Sequence, residues 1–293
     1  MHHNSNNTST LNPNLYPRII THKSIILSLT EICALNRRLI LQGWRRPSTF
    51  VTGILQPLLW LILFSALFQN APIDLLSSNN RYNNFISAGI IVFTAFTCSL
   101  NAGLPLMFDR EFGFLNRLLS SPLSSRYSII YSSSSYITIT SIVQVASIIL
   151  TTNFMGNCIP NLKNGVVIAW TLLLLIHSVT NISLLLAFIL PGHIELIACL
   201  VMINLPLLFS STALAPLLFM PSWLQVIASL NPLSYTIEVI RYAYLHEFCY
   251  NSSIAMQTVW GSIRIIDTYT LMIILNIVCL IVVKKVIDNR FDE

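Results

Sequence analysis

The sequence of 293 residues predicts an all-α, polytopic membrane protein with six transmembrane helices. Two features of its composition lead to this prediction. Only 9% of the residues are charged, whereas about a quarter are charged in a soluble globular protein. Hydrophobic residues make up 54% of the chain, and the mean hydropathy is +0.70. Because so few charged residues are available to face water, much of the surface must face lipid, which excludes a soluble enzyme and a disordered chain.

A third observation, the spacing of charge-free segments, places the spans. A transmembrane helix needs about 20 apolar residues, and within lipid only a helix satisfies the backbone of a single segment. The charge-free segments predict spans near 49–69, 85–107, 128–151, 166–190, 195–218 and 265–286. The fifth apolar run continues to residue 237, but Pro216, Pro221 and Pro232 interrupt it. Its second part predicts short helices that lie in an interface or dip into it.

The region before the first span divides into two parts. Residues 1–22 are polar and of low complexity, which predicts a disordered tail. Residues 23–46 combine apolar side chains with a basic cluster at Arg37 and Arg38, which predicts an amphipathic helix at the membrane interface. A simple basic anchor beside the first span is an alternative that this pattern leaves open. Residues 47–290 then form the transmembrane domain.

Six spans place both termini on one side of the membrane, and the basic residues test this scheme. Lys and Arg accumulate in the cytoplasmic loops of membrane proteins. In the six-span scheme twelve of the 16 Lys and Arg residues fall on the side of the termini, and four fall on the other side: Arg81, Lys163, Arg241 and Arg264. The termini and the loop over 108–126 are therefore predicted to face the cytoplasm or its equivalent.

The sequence carries no catalytic motif. Its nine glycines form no GxxxxGK[ST] phosphate loop, and neither GxSxG nor HExxH occurs. The chain alone is therefore predicted neither to bind nor to hydrolyse ATP, and no metal site or nucleic-acid partner is expected. Cys158 and Cys249 fall in loops on the same predicted side, and their pairing is left open.

The loop after the second span, FDREFGFLNRLLSSPLSSR, carries the most informative pattern. Apolar residues at helical spacing predict an amphipathic helix over 109–120 with one apolar stripe, made of Phe112, Leu115, Leu118 and Leu119. An apolar face on the cytoplasmic side needs a partner, unless it rests on lipid headgroups. The residues predicted to complete a docking surface around the stripe are Asp109, Arg110, Glu111, Gly113 and Arg117.

Three segments together resemble one family, the ABC-2 type transport permeases. DREFGFLNRLLSSPLSSR is similar to the coupling-helix segment of that family, and NRRLILQGWRRPSTFVTGILQPLLWLILFSALF to its entry into the first span. LLFSSTALAPLLFMPSWLQVIASLNPLSYTIEVIR resembles the region after its fifth span. The resemblance covers about residues 30–288, and the sequence looks most like plastid-encoded and cyanobacterial members.

The resemblance implies a function and an assembly. It implies the membrane subunit of an ATP-binding-cassette exporter, in which a separate nucleotide-binding subunit binds ATP and magnesium. It also implies a homodimer or heterodimer of permease subunits in the lipid bilayer. A plastid membrane is the expected location, with a bacterial inner membrane as the alternative, and the termini on the stromal or cytoplasmic side. The 109–120 helix is then expected to dock the ATPase.

Two further sets of residues are candidates for a role in transport. Glu238 and Arg241 lie three residues apart, so they share a helix face at the predicted outer end of the pathway. Polar groups within the spans are candidates for lining a path or for close helix packing: Thr94, Thr97, Asn101, Asn204, Ser210 and Ser211. A secondary transporter or channel, or a non-transporting scaffold for membrane-complex assembly, is the alternative function.

Overall fold

The computed structural model describes residues 25–67, 82–121, 127–154, 161–245, 254–258 and 260–292. The predicted tail over 1–22 and the pair Cys158 and Cys249 lie outside these residues. The described elements, in chain order, are α1 Ile25–Trp44, α2 Pro47–Leu67, α3 Tyr82–Leu100, α4 Gly103–Glu111, α5 Phe114–Leu119, α6 Ser128–Phe154, α7 Leu162–Ile189, α8 His193–Phe209, a 3₁₀ turn at Leu217–Phe219, α9 Ser222–Leu230, α10 Pro232–Leu245, β1 Ile254–Thr258, β2 Gly261–Arg264 and α11 Ile265–Asp292.

The prediction of an all-α polytopic membrane protein is confirmed. Five segments of the described chain are long and apolar enough to cross a bilayer: Pro47–Leu67, Phe85–Glu111, Ser128–Phe154, Leu162–Ile189 and Ile265–Val286. The segment Phe85–Glu111 contains most of α3 and all of α4. The antiparallel β1–β2 hairpin just before α11 is an addition that the sequence pattern did not predict.

The predicted fifth span over 195–218 is wrong over its last residues, 210–218. The helix found there, α8, has 17 residues and ends at Phe209, so it is about 25 Å long. Its last carbonyls bind side chains from further along the chain: Asn231 Nδ2 donates to Leu207 O at 2.8 Å. Beyond the helix, Arg241 Nη2 donates to Thr212 O at 2.8 Å. These bonds hold the backbone in a turn where apolar composition alone predicted a continuing helix.

The segment after α8 enters the helix bundle rather than lying flat on its surface. Asn231, between α9 and α10, bonds to the end of α8, and α10 then packs against α3 and α7. Leu233, Ile237 and Ile240 of α10 are each at most 2% exposed. Of the two predicted arrangements, the structure therefore shows helices that dip inward.

α3 lies at the centre of the bundle, and α2 and α11 lie at its edges. Nearly every residue from Ile86 to Phe96 is buried, whereas α2 and α11 expose most of their apolar side chains. Small residues allow close backbone approach around α3. A Cβ on Gly89 would lie 2.5 Å from Ala213 O, and one on Gly103 would lie 2.5 Å from Ser183 O. The apolar faces at the edges suit contact with lipid.

The described basic residues divide between the two ends of the bundle in the predicted groups. Arg38 contacts Asp109 near the end of α4, and Lys284 lies over the Tyr127 ring at the start of α6. These contacts bring α1, α4, α5 and the last turns of α11 to one end, which we call the elbow end. The basic residues described at the opposite end are Lys163, Arg241 and Arg264.

Candidate functional site

The predicted 109–120 helix is interrupted, and the structure has two short helices joined by a bend. α4 ends at Glu111, and α5 begins at Phe114. Between them Gly113 has φ +71°, a left-handed conformation that glycine adopts without steric cost. Phe112 N donates to Phe108 O, and Gly113 N donates to Arg110 O, which closes α4. We call residues 109–119 the elbow.

The bend also divides the predicted apolar stripe. Leu115 is 4% exposed and lies in the protein core, and Leu118 and Leu119 pack against that core. Leu115 lines a small crevice together with Leu39 of α1 and other side chains of α1, α4 and α6. Phe112 alone of the four projects outward, with 80% of its surface exposed. The prediction of one shared exposed face is therefore wrong, because the turn at Gly113 points the later leucines into the protein.

Asp109 attaches the elbow to α1. Arg38 donates from Nη1 to Oδ2 at 2.8 Å and from Nη2 to Oδ1 at 2.6 Å, a two-point ion pair across 71 positions of sequence. The same guanidinium lies 3.7 Å from the centroid of the Phe114 ring. α1 also packs along α6, where Asn36 Nδ2 donates to Ser135 Oγ at 3.0 Å. The N-terminal helix is therefore part of the folded bundle, whatever contact it makes with lipid.

Arg110 attaches the elbow to the end of α7. Its Nη1 donates to Ala187 O at 2.8 Å and to Phe188 O at 3.2 Å. Its Nη2 donates to Leu190 O and, at 2.8 Å, to Pro191 O. The last carbonyls of a helix have no partner within the helix and carry partial negative charge, so a cation is favourable there. Arg110 therefore caps α7, a role that differs from the predicted rim contact.

Glu111 attaches the elbow to the start of α8. His193 donates from its backbone N to Oε1 at 2.5 Å, and its Nδ1 lies 2.6 Å from Oε2. Phe108 lies against the His193 ring and stacks on Phe112, at centroid distances of 5.3 and 6.2 Å. Of the predicted polar border, Arg117 remains exposed at the surface.

The predicted pair at the opposite end is present, with Arg241 buried and Glu238 partly buried. Arg241 Nη1 donates to Glu238 Oε1, and the two side chains are 7% and 17% exposed. The Arg241 guanidinium also lies 3.6 Å from the centroid of the Phe85 ring and donates to Thr212 O. Nearby, Asn164 Nδ2 donates to Ala243 O at 2.9 Å. These contacts tie α10 to α3, α7 and the turn after α8.

With this geometry in place, comparison with known proteins identifies the family. The family model described as ABC-2 type transporter matches residues 30–245. The chain belongs to the ABC-2 type transporter family.

Curated relatives agree with this assignment. The chain is 50% identical over 276 residues to a protein of Porphyra purpurea named "Putative transport permease ycf38", with 94% of each chain covered. Proteins of the same name from Pyropia yezoensis and Cyanophora paradoxa are 53% and 52% identical, with 90% of this chain and 91% of theirs covered. These relatives come from plastid genomes of red algae and a glaucophyte. The resemblance read from the sequence is thus confirmed, and the chain is an integral membrane protein of a permease family.

The polar residues proposed to line a path in this ABC-2 protein fall into two groups. Thr94 and Ser211 are buried at 1% exposure and bond to backbone carbonyls of their own segments, which fits helix packing rather than an open path. Ser210 belongs to the same group, since it is half-buried and accepts a hydrogen bond from Asn231 Nδ2 at 3.1 Å. Asn101 is exposed, and the side-chain oxygens of Thr97 and Asn204 lie inside the protein without a hydrogen-bond partner. A lining role stays a prediction for this second group.

Sequence reasoning missed the residues that hold the elbow in place. Arg38 was visible as part of a basic cluster, but nothing in its spacing pointed to Asp109. His193 and the carbonyls of 187–191 lie about 80 positions from the elbow, and a carbonyl has no sequence signature. Asn231 lay within the segment that resembles the family's region after its fifth span, so the resemblance marked its region without marking its contact with α8.

Proposed function

We propose that this chain is the membrane subunit of an ATP-dependent exporter and that its elbow docks a separate nucleotide-binding subunit. One observation carries the proposal. Phe112 projects from the elbow with 80% exposure, while Arg110 and Glu111 before it are bound to other helices and Leu115 after it is buried in the core. An exposed aromatic side chain on a rigid element is a typical anchor for a partner protein.

The surroundings of Phe112 suit a protein partner. Phe112 stacks on Phe108, so its ring is held rather than free to fold back. The Cβ position of Gly113 has no atom within 4 Å, which leaves room for the backbone of a partner. Arg117 and Glu111 add exposed charge of both signs near the anchor. A central apolar anchor with a polar border is the usual composition of a specific interface.

The contacts of the elbow with other helices supply a route by which movement of the ATPase reaches the permease. Asp109 is bound to α1, Arg110 to the end of α7 and Glu111 to the start of α8. A displacement of the elbow by a closing ATPase therefore acts on three other helices besides α3. Chemistry resides in the partner, which binds ATP and magnesium, and the permease converts the movement into a change of the transport path.

The number of spans and the exposed faces support the proposed assembly. A single chain with five long spans and the shorter α8 supplies half of a typical translocation path, so we propose two permease chains with two ATPase subunits. α2, α8 and α11 expose apolar side chains that a second chain and lipid would cover. The elbow end faces the stroma or cytoplasm in this arrangement, as the distribution of basic residues favours.

The proposal is tested by removing the anchor. Burial of a Phe side chain contributes about 1.5–3 kcal/mol, so Phe112→Ala should weaken ATPase binding by about 10- to 150-fold. The matched control is Phe154→Ala, because Phe154 is 88% exposed at the opposite end of the bundle. The experiment compares the ATPase that co-purifies with the tagged full-length chain in mild detergent.

The expected result is loss of the ATPase from Phe112→Ala and its retention by Phe154→Ala, with normal membrane insertion of both. Unchanged affinity and ATP turnover in Phe112→Ala would overturn the docking role of the elbow. If the wild-type chain binds no ATPase under any condition, the exporter function itself fails, and a scaffold or a transporter working alone takes its place.

A further inference from the structure

An open groove lies between α6 and α11, and α7 forms its floor. Both helices pack against α7: Ser134 Oγ lies 3.0 Å from His177 Nδ1, and Asn276 Nδ2 donates to Leu174 O at 2.8 Å. Between these two lines of contact α7 presents an exposed face at Val166, Trp170 and His177. The groove is separate from the elbow and from the buried pair on α10.

His177 is the feature of this groove that needs an explanation. It lies near the middle of the 28-residue apolar helix α7, yet its side chain is exposed. Polar side chains within a membrane span normally face the interior of the bundle, because an unpaired polar group in hydrocarbon is costly. Nδ1 of His177 lies within hydrogen-bond distance of Ser134. The other edge of the His177 ring therefore faces the molecule that covers α7.

A basic side chain stands at the elbow end of the same groove. Lys284 of α11 reaches toward α6, with Nζ 5.8 Å from the centroid of the Tyr127 ring. Lys284 and Tyr131 are both exposed there. Asn276 marks the level of Leu174, so at 1.5 Å per residue Lys284 lies about 8 Å beyond His177 along the bundle. This separation is comparable to the length of a phospholipid headgroup with its glycerol.

The groove therefore has a polar part followed by an apolar part, in the same order as the headgroup and acyl chains of a membrane lipid. Its mouth at the elbow end offers an ammonium group, a phenol and an imidazole, which suit a phosphate or sulfate and the ester oxygens next to it. Further along, Trp170 of α7 and Ile277 of α11 are 53% and 51% exposed and apolar, which suits acyl chains. Charge complementarity with Lys284 favours an anionic lipid over a zwitterionic one.

We propose that the α6–α7–α11 groove binds one anionic membrane lipid, with its headgroup between Lys284 and His177 and its acyl chains along Trp170 and Ile277. The lipid supplies the polar partner that the exposed edge of His177 needs and covers the groove of each permease chain. The proposal does not depend on the identity of the ATPase or of the transported substrate.

The test is a titration of the purified full-length chain, in neutral detergent, with phosphatidylglycerol and with phosphatidylcholine. The rise in unfolding temperature with lipid concentration gives an apparent affinity for each. The wild-type chain is expected to bind phosphatidylglycerol several-fold more tightly. Lys284→Gln should weaken this binding about fivefold, and addition of His177→Leu should weaken it further, to the level of phosphatidylcholine. Arg264→Gln, an exposed basic residue at the opposite end, is the matched control and should keep the preference.

Three outcomes would overturn the proposal. The first is equal binding of the two lipids by the wild-type chain. The second is an undiminished preference in Lys284→Gln, a change at an exposed side chain that the fold tolerates even if His177→Leu does not. The third is coverage of the groove by a second copy, detected as a disulfide dimer of Trp170→Cys in a background without the native cysteines.

Discussion

The two ends of the bundle use charged side chains in opposite ways. At the elbow end three consecutive residues, Asp109, Arg110 and Glu111, each bind a different element 71 to 82 positions away. At the opposite end Glu238 and Arg241 bind each other within one helix, and their environment is buried. The first arrangement connects helices at a partly exposed surface. The second holds a charge pair inside the protein.

The difference indicates where each end contributes free energy. Partly exposed polar contacts contribute little stability individually, but the contacts of Asp109, Arg110 and Glu111 together fix the position of the elbow and leave Phe112 outside. A buried pair contributes little net stability as a pair, yet the loss of one member leaves the other as a buried charge with neither a partner nor water to compensate it. The elbow end is therefore suited to contact with a partner. The opposite end, with Glu238 and Arg241, is suited to stabilising the fold.

The largest expected effect belongs to the buried pair. Arg241→Gln leaves the Glu238 carboxylate without its partner and removes the bond to Thr212 O, so it should lower the free energy of unfolding by about 3–5 kcal/mol. Thermal unfolding of the purified protein measures the loss. Glu238→Gln in the same chain should restore part of the stability, because no unpaired charge remains. Equal stability of Arg241→Gln and wild type would show that the pair does not stabilise this end of the bundle.

The next prediction contrasts two apolar residues of the elbow, Leu115 and Phe112. Leu115→Ala opens a cavity in the core and should lower the free energy of unfolding by about 2–5 kcal/mol. Phe112→Ala removes an exposed side chain and should change stability by no more than about 0.5 kcal/mol. Unfolding of both variants in the same detergent checks this contrast. A strong destabilisation by Phe112→Ala would mean that its ring belongs to the fold rather than to a docking surface.

A smaller effect concerns the bend itself. Gly113→Ala introduces no clash, because no atom lies within 4 Å of the new Cβ, but it forces an L-residue into φ +71°. The cost should be about 1–2 kcal/mol. Gly165→Ala, in the helical conformation of α7 and equally free of neighbours, should instead stabilise by about 0.5–1 kcal/mol. Opposite signs in the two unfolding measurements are the expected result, and a neutral Gly113→Ala would argue for a continuous helix through the elbow.

The smallest effect is expected for the tie between the elbow and α1. A double-mutant cycle of Arg38→Gln and Asp109→Asn should give a coupling energy of about 0.2–1 kcal/mol, since the two side chains are 32% and 15% exposed. Unfolding of the four proteins measures it. A coupling energy of several kcal/mol would place this pair with the buried pair and remove the contrast between the two ends.

The class and approximate positions of most membrane helices followed from the sequence, because they depend on local composition. Lipid excludes charge, so charge-free segments such as 47–73 and 82–108 had to contain α2 and α3, and the basic residues had to gather outside them. The pattern over 109–126 and the segment that resembles the family's region after its fifth span likewise marked the elbow and α10 as special segments. The resemblance to the ABC-2 family rested on these same local patterns.

The direction in which individual side chains point depended on contacts between distant residues. Leu115 and Phe112 lie on one face of an ideal helix, but the left-handed turn at Gly113 sends one into the core and the other outward. The last turns predicted for the fifth span were replaced by a turn because Asn231 and Arg241 bind the carbonyls there. Periodicity describes a helix that continues, and only the folded chain shows which carbonyl a distant donor reaches and therefore where that helix ends.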